Sequence, residues 1–586
     1  MAARSILPTA DPGRAIEAPA ERRAWAPWLI LALVCGVWFL TLGARHLLPS
    51  DEGRYAEIAR EMFASGDWVT IRYNGLKYFE KPPFHLWATA LAYEAFGVGD
   101  WQARLWSALS AAGGLGIAAV AARRWFGNRA ALLTGCVLLA APAWNLAGHF
   151  NSLDISVAAA LTVALAALLM AQHPLASMPQ RRHWMWLAWA AMGVAILTKG
   201  LIGIVLPGLA LLVYTAVARD TAVWRRLHLV SGTLILLLVT VPWFVAVSVR
   251  NPEFPQFFFI HEHWERYTSG VHHRTGSWWY FIPQFVLGFL PWLGLLPRIV
   301  GVVARESAPR ETPGRGDGDV PGPPPNGFRP ALFLAVWVSV IFVFFSISNS
   351  KLPGYIIPIY PALAILAGAA LDAIDRPAWQ RQLVAMLLLA TVGLLATPFV
   401  ARLGRDPESV AAFSDFAPWV AAACGVAIAG LAYAWVLNRH RRTPSIVAYA
   451  LAFFAMTTIA MLGHEAFGRT SSGVALVAPI RAAMAVEPGM PIYSVRLLDH
   501  TLPFYLRRTT VMVEAPDELD FGTRQEPAKW LPSIAAFIAV WKAPHRGIAI
   551  MSHDTFTSLR GQGLAMVPVA EDRRRVVVAN FALSPP

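Results

Sequence analysis

Five short stretches and one isolated lysine carry acids, cations and aromatics at spacings that suit chemistry on a charged group. The first is Ser50-Asp51-Glu52-Gly53-Arg54-Tyr55-Ala56-Glu57-Ile58-Ala59-Arg60. Ser50 is placed to cap a helix that starts there, and the helix dipole favours Asp51 and Glu52 in the first turn. The dipole alone accounts for Glu52. Arg54 follows Asp51 by three residues, on nearly the same helical face, so the pair suits a phosphate and a reacting group. Glu57 and Arg60 repeat the spacing and read as a solvated pair. The second stretch is Lys77-Tyr78-Phe79-Glu80-Lys81-Pro82-Pro83-Phe84-His85-Leu86-Trp87. Its two prolines impose an extended approach to the next helix and hold Glu80 and Lys81 just before it. Lys81 is a point charge suited to a phosphate, or an interfacial lysine that snorkels; the segment alone leaves both open.

Asp154, in His149-Phe150-Asn151-Ser152-Leu153-Asp154, opens a helix either as its cap or as a second reacting acid. In Phe259-Ile260-His261-Glu262-His263-Trp264-Glu265-Arg266-Tyr267, His261 and His263 together with Glu80 suit a divalent metal. HEHWE is not the HEXXH zinc motif, because its fifth residue is Glu265. Ser350-Lys351-Leu352-Pro353-Gly354-Tyr355 is a further basic and aromatic turn, and Lys199 is the isolated cation.

The elements that must position these residues are apolar. The 586-residue chain is 56% hydrophobic and 15% charged, against about 45–50% and about 25% in soluble domains, which excludes a protein soluble throughout. Apolar runs of roughly 18 residues or more recur, each long enough to cross a hydrocarbon core about 30 Å thick. They fall near 25–47, 101–122, 130–147, 153–172, 184–198, 201–218, 229–249, 278–299, 330–348, 355–374, 383–401, 417–437 and 445–463. The fold class expected is a polytopic α-helical membrane protein with about thirteen spans.

Arginines fall in alternate loops, at Arg123, Arg124 and Arg129, at Arg181 and Arg182, at Arg225 and Arg226, and so on to Arg441 and Arg442. The positive-inside rule then places residues 1–24 in the cytoplasm as a tail, with the first span retained rather than cleaved, and everything after the last span outside. The net charge of +13 reads as this bias, with an acidic partner as the alternative. Residues 25–463 make the membrane domain, with outer loops 48–100 and 250–277 and a Pro/Gly-rich cytoplasmic linker at 300–329. A surface helix, Phe84–Phe96, is expected within the first outer loop, being too short to span. Residues 464–586 show strand patterns at 491–497, 509–513, 547–551 and 574–578 and helical patterns at 474–486 and 528–541, a small α/β domain on the outer face. Cys35, Cys136 and Cys424 lie inside apolar runs, so neither a disulfide framework nor a cysteine metal site is suggested.

This topology puts Asp51, Arg54, Glu80, Lys81, Asp154, His261, Arg266, Lys351 and Tyr355 on one side of one membrane. A pore would spread charge along the bilayer depth, and no long internal repeat of the transporter kind is present. The pattern suits a cavity at the interface that handles a phosphate-bearing lipid, not nucleic acid.

Four motifs carry a resemblance: D-E-G-R-Y-A-E-I-A-R-E-M at 51–62, Y-F-E-K-P-P-F-H-L-W at 78–87, T-K-G-L-I-G-I-V-L-P at 198–207 and K-L-P-G-Y-I-I-P-I-Y-P at 351–361. With them the chain resembles the polyprenyl-phosphate-dependent GT-C glycosyltransferases, most closely the 4-amino-4-deoxy-L-arabinose lipid A transferases. Pro503-Phe504-Tyr505-Leu506 followed by Val513-Glu514 is similar to that group's periplasmic domain. The resemblance implies a bacterial inner-membrane enzyme with an undecaprenyl-phosphate-linked aminoarabinose donor and a lipid A phosphate acceptor, and with it resistance to cationic peptides. It implies that Asp51 and Asp154 are the functional acids and that Arg54, Lys81 and Arg266 hold the donor phosphate. Tyr78, Tyr355 and Lys351 would line the cavity, and Glu80 and His261 would hold zinc. Alternatives that stay open are a related GT-C enzyme with another polyprenyl-linked sugar or a protein or glycan acceptor, and a transporter of lipid-linked sugars.

Overall fold

All thirteen expected spans fall on helix in the structure, a computed structural model that describes residues 26–265, 276–307 and 327–582. In lipid every backbone N–H and C=O must be satisfied within the segment, and a helix does this for an apolar run. The chain divides into two units, 1–41 and 42–586. The described part of the first is one apolar helix, α1 (Ala26–Leu40).

In the second unit α2 (Asp51–Ser65) and α3 (Phe84–Phe96) lie in the loop expected on the outer side, α3 with the bounds the sequence predicts. Then come α4 (Asp100–Ala140), α5 (Pro142–Gly148), α6 (Leu153–Gln172), α7 (Met178–Lys199) and α8 (Ile202–Ala218). Two expected spans run together in α4, interrupted only at Gly127, whose φ of 91° is open to glycine. Among the described residues eight helices are long and apolar enough to cross a membrane by themselves. Phe281–Gly288 and Leu290–Glu306, which meet at 85°, bring the number to nine if the bent pair is counted as one span. The remaining expected spans are shorter or less apolar helices, so length and composition support fewer independent spans than thirteen.

Three local expectations are corrected. Ser50 does not cap α2: its φ is 66° and its side chain makes no capping hydrogen bond. Asp154 is not the cap of α6 either, because Ser152 accepts from the Asp154 N–H and leaves that carboxylate free for other partners. Glu57 and Arg60 are not solvated; both are buried, joined by two hydrogen bonds of 2.6 Å.

Between α2 and α3, β1 (Arg72–Tyr73) and β2 (Leu76–Lys77) pair across Asn74-Gly75. Both turn residues have positive φ, the requirement of a tight hairpin turn. Beyond the last span, β3 (Ile492–Val495), β4 (Val511–Val513), β5 (Ile548–Met551), β6 (Val567–Glu571) and β7 (Val576–Ala579) form one sheet of order β4-β3-β5-β7-β6. Strands β4, β3 and β5 are parallel, while β5, β7 and β6 are antiparallel. The central strands alternate between two buried faces, as a period of two requires. Ile492, Ile548, Ile550 and Val577 pack with helix Val474–Met484. Tyr493, Val495, Ala549 and Val578 pack with helix Ile534–Trp541. Strand β6 and helix His553–Gly561 were not anticipated; β6 is largely exposed and has no strong apolar pattern.

This α/β part shares a core with the outer loop. Leu498, Phe504, Met512 and Leu519 are buried in one cluster with Tyr55, Ala56, Tyr73, Phe79 and Leu86. The Asn74 side chain at the hairpin tip donates to the Thr510 carbonyl and accepts from the Thr510 N–H. Residue 464 therefore marks a change of secondary structure, not of packing.

Candidate functional site

The start of α2 is pinned by Glu52. Its carboxylate accepts from Arg45 Nη1 at 2.6 Å, Arg104 Nε at 2.8 Å and the Asn151 backbone N–H at 3.1 Å. Burial pushes the Glu52 carboxyl up, but Arg104 and Arg45 more than reverse this and hold it far below the usual carboxylate range. Arg104 also donates to the Leu42, Arg45 and His46 carbonyls. Through Asn151 the cluster ties the first turn of α2 to the start of α6, and so fixes Asp51 relative to Asp154. Neither Arg45 nor Arg104 was anticipated. The signal was present, since an arginine within an apolar run is expensive unless paired.

With α2 so placed, Asp51, Arg54, Glu80, Lys81, Asp154 and Tyr355 line one cavity of about 200 Å³ together with Lys199. Arg54 donates to Asp51 Oδ1 at 3.1 Å and to Glu518 Oε2 at 2.7 Å. Lys81 Nζ lies 3.5 Å from Glu80 Oε2. Lys199 is ion-paired with Asp154, and its ammonium stands 4.4 Å from the centre of the Tyr355 ring, a cation–π contact. Three cations and three carboxylates thus face one space, and they neutralise one another.

Asp51 and Asp154 also line a second cavity of about 520 Å³. Its walls are largely apolar, with Pro142, Ala143, Leu146, Leu287 and Ile357 among them. The two acids stand where a charged chamber meets an apolar one. Gly354 of the K-L-P-G stretch permits this: a Cβ there would lie 2.6 Å from Asp154 Cγ.

Other expected residues lie elsewhere. Tyr78 does not line the cavity; it is buried behind it, its hydroxyl 3.4 Å from Arg54 Nη1 and 3.3 Å from Glu80 Oε2. Lys351 turns away and donates to the Phe345 and Ser346 carbonyls, at 2.9 and 2.6 Å. It satisfies the last carbonyls of helix Pro330–Ile347 and lines a separate recess with Trp278. His261 sits on a π-helical turn, Gln256–Glu265, stacked on Phe257 at 5.1 Å. Arg266 lies outside the described residues.

A protein-bound zinc ion takes about four ligands. Among the described residues no group of three or more His, Cys, Asp or Glu is arranged to hold a metal, so Glu80 and His261 do not by themselves make a zinc site.

Glu518 was not anticipated at all. It comes from the short turn Asp517–Leu519 in the C-terminal part. Burial, with Glu80 and Asp517 acting against Arg54, pushes its carboxyl up to about 7. His500, held to about 4 chiefly by burial, hydrogen-bonds the Tyr73 hydroxyl at 2.7 Å and is neutral at physiological pH.

Residues 476–580 match the family model of the aminoarabinose transferase C-terminal domain. Residues 80–245 match that of dolichyl-phosphate-mannose-protein mannosyltransferase. An undecaprenyl phosphate-alpha-4-amino-4-deoxy-L-arabinose arabinosyl transferase of Aeromonas hydrophila is 31% identical over 411 residues, 67% of this chain and 70% of that protein. The protein of the same name from Pseudomonas aeruginosa is 33% identical over 349 residues, and the match spans 59% of its length. The crystal structure of ArnT from Cupriavidus metallidurans bound to undecaprenyl phosphate is 52% identical with a TM-score of 0.89, covering 96% of this chain and 100% of that one.

Proposed function

The chain belongs to the aminoarabinose transferase family of GT-C glycosyltransferases, and from that premise we propose that it moves 4-amino-4-deoxy-L-arabinose from undecaprenyl phosphate to a lipid A phosphate. The observation that carries this reading is the position of Asp51 and Asp154 at the meeting of a charged chamber, which holds Arg54, Lys81 and Lys199, and an apolar one. Two lipids with charged headgroups need such a junction: a place for each chain in apolar surroundings, and one polar space where the headgroups meet.

In this reading an oxygen of the acceptor phosphate attacks the anomeric carbon of the sugar and forms the new C–O bond. The bond from that carbon to the carrier phosphate breaks, and its electron pair stays on undecaprenyl phosphate. Negative charge grows there as the bond opens. Arg54 and Lys81 meet that charge, with Lys199 beside Asp154. A single preorganised donor of this kind is worth about 2.7–4 kcal/mol in the transition state. An acceptor phosphate is already anionic near neutral pH, so Asp51 serves to orient the acceptor or contact the sugar's ammonium rather than to remove a proton.

The loop arginines support a cytoplasmic N-terminus and a periplasmic C-terminal part, with the chemistry at the periplasmic face of the bacterial inner membrane. A zinc ion on Glu80 and His261 is proposed apart from this mechanism. It requires further ligands, and zinc content measured in wild type and in Glu80→Gln and His261→Ala tests it.

The match of residues 80–245 to a mannosyltransferase model favours a second reading, transfer to a hydroxyl, in which Asp51 is a general base. One experiment decides. The chain is expressed in a strain lacking its own lipid A modification, and lipid A is weighed by mass spectrometry. An added aminopentose supports the proposal. Unmodified lipid A beside a well-inserted protein overturns it.

A further inference from the structure

Arg54 faces the cavity, yet its guanidinium is engaged from behind by the C-terminal part of the chain. Nη1 donates to Glu518 Oε2 at 2.7 Å while Nη2 reaches Asp51. The second carboxylate oxygen of Glu518 is buried and accepts no hydrogen bond among the described residues. His500 Nδ1 is 3.6 Å from it but is hydrogen-bonded to Tyr73. The delivery is rigid. Leu519, next to Glu518, is fully buried in the core shared with the outer loop. The backbone of His500 lies so close to Gly53 that a Cβ there would stand 2.8 Å from the His500 carbonyl carbon.

With Glu518 counted, the three cavity cations face four carboxylates. A phosphate that binds Arg54 must share a guanidinium already held by two acids, and it arrives beside their charge. We propose that Glu518 is a positioning residue that competes with the carrier phosphate for Arg54, so that the C-terminal part of the chain governs release of the spent carrier lipid. This rests on the reading that the carrier phosphate meets Arg54. The product, undecaprenyl phosphate, gains negative charge on transfer, so the like charge on ionised Glu518, a carboxyl pushed up to about 7, opposes product more than donor. The role follows from where the turn Asp517–Leu519 sits and needs no movement of the fold.

The test is binding of undecaprenyl phosphate to the purified full-length protein in detergent, together with steady-state transfer. Glu518→Gln keeps the size of the side chain and removes the charge. It is expected to bind undecaprenyl phosphate at least about fivefold more tightly, with kcat and KM both lowered because release slows. Glu518→Asp, whose carboxylate is drawn back by one methylene, is expected to fall between Glu518→Gln and wild type. Should Glu518→Gln fail to fold, Glu518→Asp alone must still bind more tightly than wild type. Weaker or unchanged binding overturns the proposal, since loss of a mere anchor would loosen Arg54. Arg54→Ala separates the premise from the inference. If it leaves binding of undecaprenyl phosphate unchanged, the phosphate does not meet Arg54 and the underlying reading of the site fails. If it weakens binding while Glu518→Gln does not tighten it, only the competition fails.

Discussion

Arg104 Nε donates to Glu52 Oε1 at 2.8 Å across 52 residues of sequence, and neither side chain reaches solvent. This contact joins the start of α2, which carries Asp51 and Arg54, to the long helix α4. It does no chemistry itself. It determines where the residues beside it stand, because Glu52 also accepts from the backbone of Asn151 three positions before Asp154.

Arg104→Ala is therefore expected to damage the protein more than any surface arginine. Removing Arg104 leaves Glu52 paired with Arg45 alone and strips the Leu42, Arg45 and His46 carbonyls of a buried donor, at a cost of about 3–5 kcal/mol. Arg104→Lys should not restore the loss, because a lysine cannot serve the carboxylate and three carbonyls in the geometry of a guanidinium. Thermal unfolding in detergent alongside transfer checks this; an unchanged Tm in Arg104→Ala would contradict the account.

Asp51→Asn and Lys81→Ala are expected to lose transfer without losing the fold. Asp51 is partly exposed in the cavity and its main contact is with Arg54, so stability should change little. Loss of Lys81 as a phosphate donor should lower kcat by about 10²–10³. Full activity in either variant, at normal membrane levels, would rule out the assignment.

Gly53→Ala tests the seam between the outer loop and the C-terminal part. The added methyl would meet Thr501 Cγ2 at 2.6 Å as well as the His500 backbone. Overpacking of this kind costs about 1–3 kcal/mol. A lower Tm is expected, with reduced transfer because Glu518 and Arg54 move apart. A variant as stable and active as wild type would show that the seam is loose.

The same seam should be sensitive to acid. Burial pushes the Asp499 carboxyl up, but Arg575 and the N–H groups of Leu502 and Thr501 more than offset this, and it sits below its ordinary value. Asp499 is an acid whose protonation is suppressed by folding. Its contribution is thus complete above the ordinary aspartate value of about 3.9 and is lost as pH falls through its lower folded value. Unfolding of the protein followed by near-UV signals should show Tm falling below about pH 4. Asp499→Asn should lower Tm at neutral pH and flatten that fall. An equally steep fall in the variant would assign the acid sensitivity elsewhere.

Much of the architecture is written in one dimension. Long apolar runs must become helices in lipid, arginine-bearing loops alternate with acid- and aromatic-bearing ones, and Asn74-Gly75 or Pro82-Pro83 impose their own local backbone. The type and spacing of Asp51, Arg54, Glu80, Lys81 and Asp154 were enough to nominate them. Short-range patterns, however, assigned the wrong surroundings wherever a distant partner outweighed a local one. Glu52 looked like a dipole residue until two arginines met it. Glu57 and Arg60 looked solvated until tertiary packing buried them as a pair. Lys351 looked like a cavity cation but satisfies a helix end.

Composition and periodicity thus decided that this chain is a helical membrane protein with charged residues gathered in a few loops, because burial in lipid constrains each segment separately. Only the tertiary structure decided which charges share a space: Lys199 with Asp154, Arg104 with Glu52, and Glu518 with Arg54 across 464 residues. Electrostatic partners are chosen by distance in space, and a pairing between remote segments leaves no spacing in the sequence to read.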